Sequence, residues 1–198
     1  MKKSRGRPRK FDTKEALDKA LLVFWTRGFA GTSLDDLSEA MEMKRPSIYN
    51  AFGDKESLYR AALDAFQAKL NSGMRELLEG GDLKTNLNQF FCRALDVYTA
   101  GETQLGCFIF CTAPAEAIAH PDVREDIFAI TTNTDRTLKT LFEESQTSGQ
   151  LSPATDPLIA AQLTQATLHS LALRSRAGQS RTSLNKMAKG AVEMICRK

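Results

Sequence analysis

Apolar residues recur along this chain at intervals of three and four residues, which is the spacing of one face of an α-helix. The first such stripe consists of Leu17, Ala20, Leu21 and Phe24. Asp12 precedes the stripe as a helix N-cap, and Gly28 follows it where a C-terminal cap is expected. No segment alternates polar and apolar residues over the length of a strand between hairpin turns. The pattern therefore predicts an all-α protein.

Two short helices joined by a turn come next. Thr32 or Ser33 caps the second helix. The third helix is predicted over residues 45–52, with Ile48 and Phe52 facing inward because they lie four residues apart. This arrangement of two short helices and a tight turn is typical of a helix-turn-helix.

A longer fourth helix follows Gly53 and ends at the Gly80–Gly81 pair. Glycine and proline separate the remaining helical segments, which are predicted at residues 83–100, 106–118, 121–148, 156–177 and 181–197. The pattern divides the chain into a basic arm at residues 1–10, a three-helix module at 11–53 and a helical domain at 54–198.

Charge distinguishes these parts. The net charge of the 198 residues is only +3, yet residues 1–60 carry 13 Lys and Arg against 9 Asp and Glu. The remainder carries 14 against 15, so the positive excess belongs to the N-terminal third. We therefore expect that third to meet phosphates and the rest of the chain to serve another purpose.

The expected location is the cytoplasm. No apolar run approaches the roughly 20 residues that a membrane span requires. The basic N-terminal residues are followed by a polar, helix-forming segment rather than by the apolar core of a signal peptide. Four cysteines in a chain of this size do not indicate a disulfide scaffold.

The outward face of the third helix carries the chemistry of DNA recognition. Lysine and arginine neutralise phosphates or read guanine, asparagine reads adenine, and serine and tyrosine hydroxyls reach backbone oxygens. With Ile48 and Phe52 facing inward, the residues left outward are Lys44, Arg45, Ser47, Tyr49 and Asn50. A helical hairpin buried in a globular core is the alternative interpretation, and the basic arm beside it favours DNA.

Residues 10–65 resemble the TetR family of transcriptional regulators. The resemblance lies in Gly28-Phe29, in the TSLDDL segment 32–37, in PSIY at 46–49 and in FGDKE at 52–56. It implies phosphate contacts from Thr32, Ser33, Tyr49 and Lys55. It also implies a homodimeric repressor, with a C-terminal ligand-binding and dimerisation domain, that a small-molecule inducer releases from a palindromic operator. It implies no cofactor and no catalytic residue.

Three positions depart from the family pattern. Glu42 stands in the turn, over residues 42–44, where glycine is usual. Lys44 replaces the usual Ser or Thr cap of the third helix, and Pro46 occupies its first turn, where a missing N–H costs nothing. Lys44 and Pro46 remain candidate DNA-binding residues, and Glu42 is their neighbour in the turn.

The basic arm carries a separate motif. Arg5-Gly6-Arg7-Pro8 resembles the core of an AT-hook, which lies in a narrow minor groove. Narrow grooves concentrate negative potential and attract arginine, so Arg5 and Arg7 are candidate DNA contacts. The alternative is a tail that attracts DNA without regard to sequence.

The last two helices are predicted to form the dimer interface. The final helix carries one continuous apolar stripe, and the helix before it is apolar over a wider arc, so two copies of the pair can form a four-helix interface. The predicted interface residues are Ile159, Leu163, Ala166, Leu184, Met187, Ala188, Ala191, Val192 and Ile195. Packing within one chain is the alternative.

The LGCFIFCTAPAEAIA segment at residues 105–119 is predicted to be a central helix that lines a ligand pocket. The candidate pocket residues are Phe90, Phe91, Tyr98, Cys107, Phe108, Cys111, Phe128 and Phe142. A well-filled core is the alternative for each aromatic residue. No phosphate-binding loop or nucleophile elbow is present, so we do not expect an enzyme.

The cysteines suggest an alternative function. Under this alternative, a thiol at Cys107, close to a helix N-terminus, could have a lowered pKa and react with electrophiles or oxidants. The Gly106-Cys107 pair resembles a subset of the TetR family that includes electrophile-sensing repressors. Cys107 and Cys111 also lie four residues apart as two soft ligands, but neither His120 nor His169 is near in sequence, and no metal is predicted.

The sequence therefore predicts a ligand-responsive, sequence-specific transcriptional repressor. A thiol- or metal-responsive sensor acting through Cys107 and Cys111 is the alternative. An architectural DNA-binding protein that uses the arm and binds no ligand is the third class considered.

Overall fold

The computed structural model describes residues 12–78 and 81–197. These residues form nine α-helices and no strand, which confirms the predicted all-α class. The helices are α1 (Thr13–Arg27), α2 (Leu34–Ala40), α3 (Arg45–Phe52), α4 (Lys55–Leu78), α5 (Leu83–Tyr98), α6 (Phe108–Thr112), α7 (Pro121–Thr147), α8 (Pro157–Arg176) and α9 (Arg181–Ile195). None of the described helices is both long and apolar enough to cross a membrane.

The chain forms two compact units that divide within α4, after Ala62. In the N-terminal unit, the Tyr59 ring lies edge-on to Phe24 at 5.1 Å between centroids and equally close to Phe29. Leu58 and Tyr59 are fully buried there. The first turns of α4 therefore belong to the N-terminal core, whereas the sequence pattern places a domain boundary between residues 53 and 54.

The C-terminal unit is built around α8, which packs against α5, α7 and α9. Side-chain hydrogen bonds join these helices. Arg181 Nη2 of α9 donates to Asp96 Oδ1 of α5 at 2.8 Å, and Gln165 Nε2 of α8 donates to the Thr131 carbonyl of α7 at 3.0 Å. Packing and hydrogen bonds therefore join α5, α7, α8 and α9 into one helical unit.

The packing of α9 corrects the assignment of four of its residues to the dimer interface. Its apolar stripe of Leu184, Ala188, Val192 and Ile195 is buried at 8% exposure or less, because α9 packs its one apolar face on α5 and α8 of the same chain. The intrachain alternative therefore applies to these four residues. Met187 and Ala191 are half-buried beside them.

Helix α8 is apolar on two faces. It buries Ala161, Leu168 and Leu171 in the unit, while Ile159 and Leu163 are 51% and 54% exposed on the other side. Ala166 is exposed as well. The predicted interface residues on α8 thus remain at the surface.

Helix α6 is much shorter than the predicted segment 106–118. It spans only Phe108–Thr112 and passes into a short 3-10 turn at Ala113–Ala115. Pro114 has no N–H to continue the α-helical pattern, and its ring crowds the preceding turn. The central helix of the prediction is therefore a short helix followed by a turn.

Gly106 stands directly before this short helix at a point of close approach. Its φ is +68°, and a Cβ added there would overlap the Ala172 carbonyl oxygen of α8 and lie 2.9 Å from Cys111 Sγ. Glycine is thus required both for the backbone conformation and for the packing of this segment on α8.

We expect Gly106→Ala to destabilise the C-terminal unit more than Gly101→Ala does. Both positions have positive φ, so each substitution costs about 1–2 kcal/mol of backbone strain. Nothing lies within 4 Å of a Cβ built at Gly101, whereas Gly106→Ala adds about 1–3 kcal/mol of overpacking. Urea unfolding followed by circular dichroism measures the difference, and equal losses of stability would contradict this account of Gly106.

Candidate nucleic-acid interface and interior cavity

A capping box fixes the start of α2. Ser33 is the N-cap: its Oγ accepts from the Asp36 backbone N–H at 3.1 Å, and Asp36 Oδ2 accepts from the Ser33 N–H at 2.8 Å. Arg27 of α1 pairs with the same carboxylate. The hydrogen bonds from Ser33, assisted by the Arg27 charge, lower the pKa of Asp36.

The turn between α2 and α3 uses a non-glycine residue in the left-handed conformation. Glu42 has a φ of 55°, and its carboxylate accepts from Lys19 Nζ of α1 at 2.7 Å, which lowers the pKa of Glu42. Ser38 closes the turn, because its hydroxyl donates to the Met43 carbonyl at 2.6 Å. The expected departure from glycine is therefore accommodated by an ion pair and a turn hydrogen bond.

Helix α3 begins and ends where the sequence predicts. Lys44 is its N-cap and makes no side-chain capping bond, and Pro46 lies in its first turn. Ile48 is 1% exposed and anchors the inner face, whereas Tyr49 is 48% exposed. The other exposed residues of the outer face are Lys44, Arg45, Pro46 and Asn50, with Ser47 half-buried. The structure thus brings the predicted recognition residues together on one surface.

Sequence reasoning missed a partner of this surface. Asp35, at the start of α2, accepts from Arg45 Nε at 2.9 Å, and its second oxygen pairs with Arg45 Nη2. This ion pair raises the pKa of Arg45, and its two contacts fix the orientation of the guanidinium. The two residues are ten positions apart on different helices, so no local spacing rule relates them.

Thr32 is a correction to the predicted phosphate contacts. Its side chain is 2% exposed, and its hydroxyl donates to the Gly28 carbonyl at 2.6 Å. The Thr32 N–H is also used, in a hydrogen bond to the Phe29 carbonyl. Because both donors are engaged inside the unit, Thr32 shapes the loop before α2, and Ser33 is the exposed residue of the pair.

Lys55 has an internal role as well. Its Nζ donates to the carbonyls of Phe29 and Thr32 at 3.1 and 3.0 Å and lies 4.1 Å from the centre of the Phe29 ring. These contacts fasten the loop before α2 to the start of α4. Any contact of Lys55 with a phosphate would share the ammonium group with these partners.

Arg5 and Arg7 of the basic arm lie outside the described residues.

The C-terminal unit contains a cavity of about 370 Å³. Helices α4, α5, α6, α7 and α8 all contribute to its wall. The lining residues exposed to solvent belong to α4 and α5 and include Lys69, Asn71, Arg93 and Asp96. The cavity therefore opens between α4 and α5.

The predicted pocket residues divide between the cavity, the core and the surface. Phe90, Tyr98 and Cys107 line the cavity. Phe91, Phe108 and Phe142 are fully buried core residues, which the alternative interpretation allowed, and Cys111 is not among the lining residues either. Phe128 is 71% exposed on α7, which corrects its assignment to a pocket.

Several lining residues were not predicted. They include Met74, Phe110, Ile130 and Leu168, which supply apolar surface, and Gln165, which supplies an amide. Helical periodicity identifies such residues as inward-facing but does not distinguish the wall of a cavity from a filled core.

The environment of Cys107 does not favour the reactive thiol of the alternative hypothesis. The thiol is fully buried, and burial raises its pKa to about 12, outweighing the hydrogen bonds from the Phe110 and Ile109 amides and from the Tyr98 hydroxyl. The pKa of the Cys111 thiol is also raised, chiefly by burial. The lowered pKa that the alternative hypothesis requires at Cys107 is therefore wrong, because the cost of burying the thiolate exceeds the stabilisation that the amides at the start of α6 give it.

Within residues 12–78 and 81–197, no three Cys, His, Asp or Glu side chains come close enough together to hold a metal ion. Cys107 and Cys111 thus lack a third ligand in the described part of the chain.

Comparison with known proteins agrees with this geometry. The model for bacterial regulatory proteins of the tetR family matches residues 16–62, and that for the tetracyclin repressor-like C-terminal domain matches residues 83–191. The chain belongs to the TetR family. It is accordingly a helix-turn-helix, DNA-binding transcriptional regulator, and the predicted resemblance is confirmed.

Individual TetR family proteins match nearly the whole chain. The transcriptional repressor ComR of Escherichia coli K12 is 30% identical over 190 residues, covering 95% of this chain and 90% of ComR. A cysteine mutant of CifR, solved with a 26-bp double-strand operator DNA, is 30% identical with a TM-score of 0.85, covering 95% of this chain and 98% of that one. Reduced NemR of E. coli, at 21% identity and a TM-score of 0.80, covers 92% of this chain and 94% of its own and shares the fold.

We expect Asp36→Asn to reduce the pH dependence of stability. Because the folded-state pKa of Asp36 is lowered, its stabilisation is present above the ordinary aspartate value of about 4 and is lost as pH falls through the lowered value. The free energy of unfolding, measured in urea between neutral and acidic pH, should fall less steeply in the variant than in the wild type. Glu39→Gln, an exposed carboxylate of α2 outside the capping box, is the matched control. Identical slopes for wild type and Asp36→Asn would contradict this role of the capping box.

Proposed function

We propose that the protein is a homodimeric repressor that binds a palindromic operator through α3 and releases it when a small molecule occupies the interior cavity. The observation that carries the proposal is the outer face of α3, where cationic and hydrogen-bonding side chains are held on a TetR family helix-turn-helix. The same family includes the repressor ComR and a CifR variant solved on operator DNA.

The side chains of α3 are suited to different parts of a DNA site. Tyr49 and Lys44 are exposed and can reach phosphates, which fixes the position of the helix in the groove. Arg45 and Asn50 can read base edges, since arginine pairs with guanine and asparagine with adenine. Asp35 orients the Arg45 fork, so it acts as a positioning residue for the arginine.

Helix α8 is the proposed dimer interface. Its outer stripe of Ile159, Leu163, Ala166 and Leu173 follows helical spacing, and Leu173 is 66% exposed. Met194 of α9 is 80% exposed and offers a second apolar contact. Exposed apolar stripes of this kind mark interaction surfaces, and a two-fold interface would present two α3 helices to two half-sites.

The cavity gives a route to regulation. Helix α4 contributes Tyr59 to the N-terminal core and Leu70 and Met74 to the cavity wall, so it is one continuous helix with a part in each unit. A ligand that favours one position of α4 would change the separation of the two α3 helices in the dimer. Such a ligand shifts the equilibrium only by its difference in affinity for the two states. The repressor would act in the cytoplasm, where its operator lies.

The alternative thiol- or metal-responsive function lacks a supporting observation in the described residues. Burial raises the pKa of Cys107 to about 12, and the Cys107–Cys111 pair has no third ligand there. A small molecule bound in the cavity is the better-supported effector.

Arg45→Ala should weaken operator binding by about 1–3 kcal/mol, because one base-reading side chain is lost. Asp35→Asn should instead keep or raise affinity for non-operator DNA while lowering the ratio of operator to non-operator affinity, since Arg45 loses its orientation. Fluorescence anisotropy with both DNAs, at two salt concentrations, measures each effect. Lys139→Ala, which removes a partly exposed cation of α7 that pairs with Glu143, is the control, and unchanged operator affinity in Arg45→Ala would contradict the proposal.

Leu163→Glu should convert the dimer to a monomer at micromolar concentration, because it places a charge in the centre of the proposed α8 interface. Sedimentation equilibrium gives the oligomeric state, and circular dichroism checks that the helices remain folded. Leu22→Glu is the matched control, since Leu22 is 56% exposed on α1 of the N-terminal unit. A Leu163→Glu protein that remains dimeric would rule out this interface.

A further inference from the structure

The polar groups of the cavity differ between its inner wall, which offers hydrogen-bond acceptors, and its mouth, which carries a cation. Deep in the wall, Gln165 is 5% exposed, and both protons of its Nε2 are used, one toward the Thr131 carbonyl at 3.0 Å and one toward Asp135 Oδ1. The side-chain group of Gln165 that remains for a ligand is therefore its carbonyl oxygen, which only accepts.

Thr134 and Tyr98 complete this acceptor surface. The Thr134 hydroxyl donates to the Ile130 carbonyl of its own helix at 2.9 Å, which leaves its oxygen lone pairs. The Tyr98 hydroxyl is engaged with Cys107 Sγ. The inner wall thus offers hydrogen-bond acceptors whose own protons are already committed, and it is complementary to a ligand that donates.

The mouth of the cavity has the opposite character. Arg93 lies there, exposed on α5, and no described residue forms an ion pair with it. The carboxylate of Asp96, also on the rim, is neutralised by Arg181 at 2.8 Å. Asn71 Oδ1 accepts from Gln67 Nε2 at 2.8 Å, so its own amide protons remain available. The guanidinium of Arg93, unpaired among the described residues, and the amide protons of Asn71 suit an anion.

Apolar surface separates the two polar ends. Phe90, Phe110, Met74 and Leu168 line the space in between. A ligand with a flat or chain-like apolar body fills such a space, and a volume of about 370 Å³ is within the range of small-molecule sites.

From this arrangement we infer that the cavity binds an amphipathic organic carboxylate: its carboxylate contacts Arg93 at the mouth, its apolar or aromatic body lies on the phenylalanines, and a terminal hydroxyl or N–H donates to Gln165. This inference rests on the proposed function for its regulatory meaning, but the binding itself is a separate claim. A cationic ligand would meet Arg93 with like charge, and a neutral hydrocarbon would leave the carbonyl of Gln165 without a partner.

The test uses the full chain and a series of para-hydroxyphenyl carboxylates, the acetate, propionate and butyrate, so that the length of the linker is sampled. Isothermal titration calorimetry should show binding of at least one member. Phenylpropionate lacks the donor and para-hydroxyphenylpropionamide lacks the charge; each should bind about tenfold or more weakly than its parent, which corresponds to about 1.4 kcal/mol.

Variants locate the site. Arg93→Gln should raise the dissociation constant of the tightest carboxylate about tenfold and should leave the affinity of the amide unchanged, since the amide makes no charge contact. Arg136→Gln, which removes an exposed arginine of α7, is the matched control and should bind like the wild type. Binding of no member of the series, or equal binding by wild type and Arg93→Gln, would overturn the inference.

Release of operator DNA separates this inference from the proposed function. If the carboxylates bind through Arg93 but do not release the operator, the ligand class stands and the ligand-responsive repressor fails. If neutral or cationic compounds release the operator and the carboxylates do not bind, the repressor stands and the ligand class fails.

Discussion

Burial of Ile48 is the contact on which the proposed DNA-binding surface depends. Helix α3 has only eight residues, and a helix of that length is not stable in water without tertiary packing. Ile48 holds its inner face, while the Ser33–Asp36 capping box and the Glu42 turn set the position of α2 before it. Lys55 ties the loop ahead of α2 to α4. The outer face of α3 is therefore supported by helix caps and by ion pairs within the unit, and the side chains of this proposed DNA-binding face do not have to support the fold.

Helices α8 and α9 differ in what remains exposed after packing because they differ in their number of apolar faces. Helix α9 has one apolar stripe, and α5 and α8 of the same chain cover it. Helix α8 has two, so after packing inside the unit it still carries Ile159 and Leu163 at the surface. The proposed dimer uses this second face. The sequence pattern alone placed both helices in the interface, because an apolar stripe shows that a face is buried without showing which partner buries it.

The interior cavity changes the interpretation of the cysteine-containing segment. Gly106 allows this segment to approach α8 closely, and Pro114 ends the helix after a few residues. Cys107 consequently lies in the wall of the cavity, where burial favours the neutral thiol. The proximity of a helix N-terminus is a real stabilising influence on a thiolate, but it is smaller here than the cost of removing the charge from water.

The sequence by itself determined the helical class, the limits of α1 and α3 and the family of the DNA-binding module. Local sequence signals indicate these features: the Asp12 and Ser33 caps, Gly28 and Gly53, and the apolar spacing of α3. Tertiary structure alone decided the remainder: the burial of Thr32, the Asp35–Arg45 pair, the exposure of Phe128 and the packing of α9 on α5. Each of these depends on contacts between residues distant in the chain, and hydrophobic periodicity carries no information about which distant surface a face will meet.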